Sequence, residues 1–99
     1  MSGQFSRTGL LLGEAAMERL ARSRVAVFGI GGVGGHAAEA LARSGIGGMD
    51  LVDSDTVSES NLNRQLVALH STVGRYKVDV MEERIRDINP RAVVHTYRC

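Results

Sequence analysis

The stretch Arg24-Val25-Ala26-Val27-Phe28-Gly29-Ile30-Gly31-Gly32-Val33-Gly34-Gly35 decides the fold. Its first five residues are rich in β-branched and aromatic side chains and do not alternate polar with apolar, which predicts a strand buried on both faces. The glycines behind it fit G-x-G-x-x-G through Gly29, Gly31 and Gly34, with Gly32 inside the repeat. Glycine here permits a tight turn and lets backbone N–H groups approach a phosphate with no Cβ in the way. The helix that opens behind the loop turns its positive dipole end toward the anion. Behind the loop a helix is predicted over 36–44; from Val33 onward, Ala37, Ala40, Leu41 and Ser44 keep helical spacing, and Gly45 supplies a stop.

Outward from that centre, Met49 to Val52 reads as a second strand ending in an acid, Asp53, and 54–60 as a polar loop. Ser60 is placed to cap a short helix carrying Asn61 to Leu66. A longer helix is predicted from Gly74 to Ile88, with Val78, Met81, Ile85 and Ile88 as its apolar stripe, ended by Asn89-Pro90. Ala92 to Tyr97 reads as a third strand. Upstream, Glu14 to Arg22 has good helix propensity and a Glu18–Arg22 pair at i,i+4, while 4–9 reads as a polar arm. The sum is an α/β chain, a Rossmann-like half-domain of three parallel strands with flanking helices. Residues 1–23 form its N-terminal helical arm and 24–99 its nucleotide-binding half. A complete domain of this type needs two such halves, so the chain is expected to be the N-terminal portion of something longer.

Composition narrows the classes. The 99 residues allow one small domain, and 43% apolar content is ordinary for a globular chain. A net charge of +1 gives no footprint for nucleic acid or an acidic membrane surface. One cysteine excludes an internal disulfide and a zinc site built from two CxxC pairs. No apolar run approaches the roughly 20 residues of a membrane span, and no secretory signal is visible. A cytoplasmic setting is the expectation.

The loop alone indicates a nucleotide phosphate. Asp53, about twenty residues past it, stands where an acid accepts hydrogen bonds from ribose hydroxyls. To this point a nicotinamide-dependent oxidoreductase and an ATP-using enzyme fit equally well. Asn61, Arg64 and Gln65 then fall in one short segment, and Lys77 opens the next helix. A dinucleotide's pyrophosphate is met by backbone amides. Attack at the α-phosphate of ATP instead expels a pyrophosphate, and cations placed where that charge develops accelerate the step. Taken singly, Arg64 or Lys77 reads equally well as a solvated surface charge.

The blocks Gly29–Gly34, Asp53-Ser54-Asp55, Ser60-Asn61-Leu62-Asn63-Arg64-Gln65, Val73-Gly74 with Lys77, and Ile88-Asn89-Pro90 occur in that order and spacing. Together they resemble the adenylation domain shared by ubiquitin-activating enzymes, the ThiF and MoeB sulfur-carrier adenylyltransferases and their relatives. Phe5-Ser6-Arg7-Thr8, 39–47 and 81–90 are most similar to the branch of tRNA threonylcarbamoyladenosine dehydratases. The resemblance implies that Gly29, Gly31, Gly32 and Gly34 hold the ATP phosphates, that Asp53 takes the ribose, and that Asp55 lies beside the nucleotide. Asn61, Arg64, Gln65 and Lys77 would contact the phosphates. Arg7 would reach in trans into the ATP site of a homodimer partner, although Gln4 stands where relatives often carry another arginine.

The activity implied is activation of a carboxylate as an acyl-adenylate, with cyclisation of threonylcarbamoyladenosine in tRNA as the reaction. Mg²⁺ would be held by an acid beyond residue 99. The alternative is adenylation of a ubiquitin-like or sulfur-carrier protein's C-terminus; a NAD-dependent oxidoreductase stands behind both. Met17, Met49 and Met81 read as core, His36, His70 and His95 as surface residues, and Cys99 as no nucleophile. Glu82, Glu83, Arg84 and Arg86 read as a solvated helix face.

Overall fold

The computed structural model describes residues 3–99. Its elements are α1 (Ser6–Leu12), α2 (Glu14–Arg22), β1 (Arg24–Phe28), α3 (Gly32–Ser44), β2 (Gly48–Val52), α4 (Lys77–Ile88) and β3 (Val93–Tyr97), with 3-10 turns at Gly3–Phe5 and Glu59–Asn61. The strands are parallel in the order β1-β2-β3, with Val25 opposite Met49 and Met49 opposite Val94. The expected α/β architecture, three parallel strands with flanking helices, is the one observed.

Alternation along the strands sends Val27, Met49, Leu51 and Val94 to one face. There they join Ala38 and Ala42 of α3 and Val78, Met81 and Ile85 of α4 in one buried cluster. Full burial contributes about 1.5–3 kcal/mol for each large aliphatic side chain, so this face holds the sheet and both crossover helices together. Arg84 of α4 is ion-paired with Glu39 of α3, and its guanidinium keeps the Glu39 carboxyl below the usual carboxylate range. Met17, Met49 and Met81 are core residues as expected.

Several expectations need correction. β1 is not buried on both faces: only Val27 is enclosed, and Phe28 is 76% exposed. Both α3 and α4 lie on the same side of the sheet, and β1 is an edge strand among the described residues. Helix α3 starts at Gly32, four residues earlier than predicted, and buries Gly35, Ala38 and Ala42 instead of the Val33 stripe; Val33 is 87% exposed. The seam is made by the smallest side chains because helix and strand nearly touch. A Cβ on Gly34 would lie 1.7 Å from the Gly29 carbonyl oxygen, and one on Gly35 2.5 Å from that of Ile30. Hydrophobic spacing finds large residues and passes over such a seam.

The helix expected over 61–66 is a single 3-10 turn followed by hydrogen-bonded turns, and Ser60 does not cap it. Ser58 occupies the cap position, donating from both its backbone N–H and its hydroxyl to Asn61 Oδ1 at 3.0 Å. Helix α4 begins at Lys77, not Gly74. Gly74 adopts φ +90° and donates its N–H to Val57, while Tyr76 is bridged to Thr56, which keeps 74–76 out of the helix. The arm 4–9 is not irregular but a 3-10 turn running into α1, whose Leu10 and Leu11 are exposed. Glu18 and Arg22 form no ion pair among the described residues.

Because the Gly34 seam leaves no space for a methyl group, Gly34→Ala is expected to destabilise the full-length protein by at least ~1–3 kcal/mol. The midpoint of urea unfolding reads this; an unchanged midpoint would show that helix and strand can separate freely.

Candidate functional site

The site lies at the C-terminal edge of the sheet, where β1 runs through the glycine loop into α3. Gly29 (φ +84°) and Gly32 (φ +50°) take backbone conformations that L side chains resist, which fixes the turn. Gly31 is the N-cap of α3 and offers no side chain, and no acidic residue occupies the first helical turn. The opening N–H groups of α3 are therefore left for an anion.

Asp53 fixes this loop in place. Its Oδ2 accepts from the Ile30 N–H at 2.7 Å and its Oδ1 from the Asp55 N–H at 2.8 Å. Its own N–H donates to the Tyr97 carbonyl at 3.1 Å, and Gly29 N–H donates to Val52 at 2.8 Å. One carboxylate thus ties the glycine loop to the 53–55 turn, and its backbone ties both to β3. Each oxygen retains acceptor capacity for a further donor such as a hydroxyl.

The 53–55 turn leads on to Lys77, whose backbone N–H donates to the Asp55 carbonyl at 3.0 Å. Lys77 is the only lysine of the chain and is 7% exposed, and its ammonium has no carboxylate partner among the described residues. Lysine is almost never buried unless paired, so this cation is available to an anionic ligand.

Gln65 lies against the loop from the other side. A Cβ built on Gly31 would fall 2.8 Å from Gln65 Nε2, and Gln65 Oε1 is buried without a hydrogen-bond partner. Reversing the amide would present its NH₂ in that place, which a phosphate oxygen would accept. Asn61 is buried and its Oδ1 is committed to Ser58, leaving Nδ2 as the atom available to a ligand. Arg64 is exposed. Its Nη1 donates to the Ser60 carbonyl (2.7 Å) and Asn63 Oδ1 (2.9 Å), which leaves Nε and Nη2 without protein acceptors among the described residues.

The structure thus brings Gly31, Gln65, Ile30, Asp53, Asp55 and Lys77 into one connected group. Arg64 and Asn61 join it through chain neighbours instead of by direct contact. Arg7, on α1, is linked to this group by no hydrogen bond or ion pair among the described residues. The Gln65–Gly31 contact and the part played by Tyr97 through its backbone carry no signal in the sequence. A cavity of about 690 Å³ opens at the opposite edge, beside Met17, Ile46 and Asn89, remote from the glycine loop. Among the described residues no three His, Cys, Asp or Glu side chains gather to hold a metal. Among the described residues no helix is long and apolar enough to cross a membrane. His36, His70 and His95 are exposed, as is the free thiol of Cys99. The arrangement is suited to binding a polyanion; it presents no nucleophile paired with a base.

Comparison with known proteins gives the chain a lineage. The ThiF family pattern matches residues 5–99. The tRNA threonylcarbamoyladenosine dehydratase of Bacillus subtilis is 58% identical over 94 residues, 95% of this chain and 37% of that protein. The adenylyltransferase and sulfurtransferase uba4 of Aspergillus clavatus is 42% identical over 88 residues, 89% of this chain and 18% of that protein. The crystal structure of the Escherichia coli tRNA N6-threonylcarbamoyladenosine dehydratase in complex with ATP superposes with a TM-score of 0.95 at 49% identity, covering 97% of this chain and 40% of that one. The chain therefore spans well under half the length of the relatives it matches.

Asp53→Asn keeps the size of the side chain but turns an NH₂ toward one of the two N–H donors. It is expected to cost about 1.5–3 kcal/mol in chemical unfolding of the full-length protein, the worth of a charge-assisted hydrogen bond. A loss below half a kcal/mol would mean that the loop holds its shape without the carboxylate.

Proposed function

Because this chain belongs to the ThiF family, we propose that it forms the ATP-holding half of an enzyme that activates a carboxylate as an acyl-adenylate. The observation that carries this reading is the continuous path from the glycine loop through Asp53 and Asp55 to a buried, unpaired Lys77. ATP supplies an α-phosphorus open to attack by a carboxylate and a pyrophosphate able to leave. The N–H groups at the start of α3 cradle the phosphates, Asp53 accepts from the ribose, and Asp55 lines the same turn. Lys77 and Arg64 neutralise the charge that grows on the leaving pyrophosphate, and Gln65 and Asn61 offer amide donors beside them. A preorganised cation is effective here because Lys77 is already desolvated and needs no reorganisation as the reaction proceeds.

Among the described residues no Mg²⁺ cage forms: both Asp53 oxygens are engaged by N–H donors, and no second carboxylate converges with Asp55. The metal implied by the resemblance would need an acid from outside residues 1–99.

The substrate we assign is threonylcarbamoyladenosine in tRNA, whose carboxylate is activated and then captured intramolecularly with loss of AMP, for a net dehydration. Identities of 45–58% to three bacterial tRNA threonylcarbamoyladenosine dehydratases support it. The second reading is adenylation of a sulfur-carrier protein's C-terminus, favoured by the 42% identity to uba4. A NAD-dependent oxidoreductase has less support, since a dinucleotide's pyrophosphate carries less charge than the triphosphate of ATP and is met by backbone amides. The protein acts in the cytoplasm as a homodimer, with residues 1–23 as an arm, 24–99 as the nucleotide-binding half, and Arg7 of each arm serving the partner's phosphates.

Lys77→Ala or Arg64→Ala in the full-length protein should slow ATP–pyrophosphate exchange by ~10²–10³, the effect of removing one preorganised donor. Rates within a few-fold of wild type would make these cations bystanders. For the arm, an Arg7→Ala protein mixed with a Lys77→Ala protein should regain up to about a quarter of wild-type exchange if arginine and lysine act across the interface; no recovery would place Arg7 in its own subunit's site or in none.

A further inference from the structure

The contacts that run from the glycine loop to Lys77 do not end there. Lys77 is flanked by Tyr76 and Asp79, and both are held by one side chain. The Arg98 guanidinium lies over the Tyr76 ring, 4.3 Å from its centroid, and donates from Nη2 to Asp79 Oδ2. Arg98 follows Tyr97, whose carbonyl accepts from the Asp53 N–H. A closed ring results: Asp53 to Asp55, Asp55 to Lys77, the residues around Lys77 to Arg98, and Arg98 back through Tyr97 to Asp53.

We propose that Arg98 is a positioning residue for Lys77, clamping the first turn of α4 to the end of β3 so that the buried lysine keeps its place beside the 53–55 turn. This rests on the ATP reading given above. The placement has a physical need behind it. Helix α4 has no side-chain cap and Tyr76 at its N-cap is extended, so the entry to the helix is fixed through the backbone of 74–77 against 55–57, and Arg98 adds a side-chain tie to the end of β3. Arginine suits the task because one planar group can stack on a ring with its face and donate to a carboxylate from its edge; lysine cannot do both.

The test is a mutant cycle in the full-length protein, read by ATP–pyrophosphate exchange and by amide hydrogen exchange without nucleotide. Arg98→Ala should slow exchange by about 10-fold, mainly in kcat, because a small displacement of a reacting-site group costs up to 10²-fold. Added to Lys77→Ala it should slow exchange no further, within about 2-fold, since its effect passes through that lysine. Amides 76–81 should exchange about 10-fold faster in Arg98→Ala while those of β2 stay unchanged. Arg98→Lys and Tyr76→Leu should fall between wild type and Arg98→Ala, and they carry the same comparison if Arg98→Ala does not fold. If Lys77→Ala keeps wild-type exchange, the ATP reading fails and takes the clamp with it. If Lys77→Ala is slow while Arg98→Ala exchanges at the wild-type rate, or if the two losses multiply, the clamp alone is overturned.

Discussion

The carboxylate of Asp53 is the constraint on which the site depends. It accepts from the glycine loop with one oxygen and from the 53–55 turn with the other, while its backbone N–H reaches β3. A phosphate cradle made of glycines has no side chains with which to hold its own shape, and glycine carries the largest backbone entropy of any residue. A fixed anion opposite the Ile30 N–H answers both problems. The same placement forces the loop that leaves β2 to begin beside the cradle, and so brings Asp55 and then Lys77 to it.

Lys77 illustrates how packing makes a charge useful. On the surface a lysine is well solvated and its interaction with a phosphate is screened. At the start of α4, a helix whose Val78, Met81 and Ile85 belong to the core, it is buried and meets no carboxylate among the described residues. The cost of holding an unpaired ammonium there is borne by the apolar burial of the helix it begins.

The packing of α3 against β1 shows a complementary economy. Gly34 and Gly35 let the helix approach the Gly29 and Ile30 carbonyls more closely than any Cβ would allow. That approach sets how far the first N–H groups of α3 stand from the end of β1, so the glycines shape the loop as much by helix–strand distance as by the turn itself. The opposite face of the sheet follows different rules. Arg24 forks onto Asp50 at 2.6 and 3.0 Å and holds its carboxyl below the usual range, while Phe28 and Tyr97 stand exposed beside them.

The order strand, glycine loop, helix, strand, helix, strand was legible from residue chemistry alone, because glycine clusters, an Asn-Pro stop and β-branched runs act locally. The family was legible too, since Ser60 to Gln65 and its companions keep a spacing that few chains share. Element starts at α3 and α4, the Ser58 cap and the exposure of Phe28 were not, for they depend on what lies across space: a carbonyl against Gly34, a bridge from Thr56 to Tyr76, two helices on one side of the sheet. Local sequence could name Asp53, Gln65 and Lys77 as candidates. Only the tertiary structure decided that Gln65 touches Gly31, that Lys77 is buried unpaired, and that Arg98 reaches back to Tyr76 and Asp79, because contacts between distant segments arise from packing and leave no periodic trace in the chain.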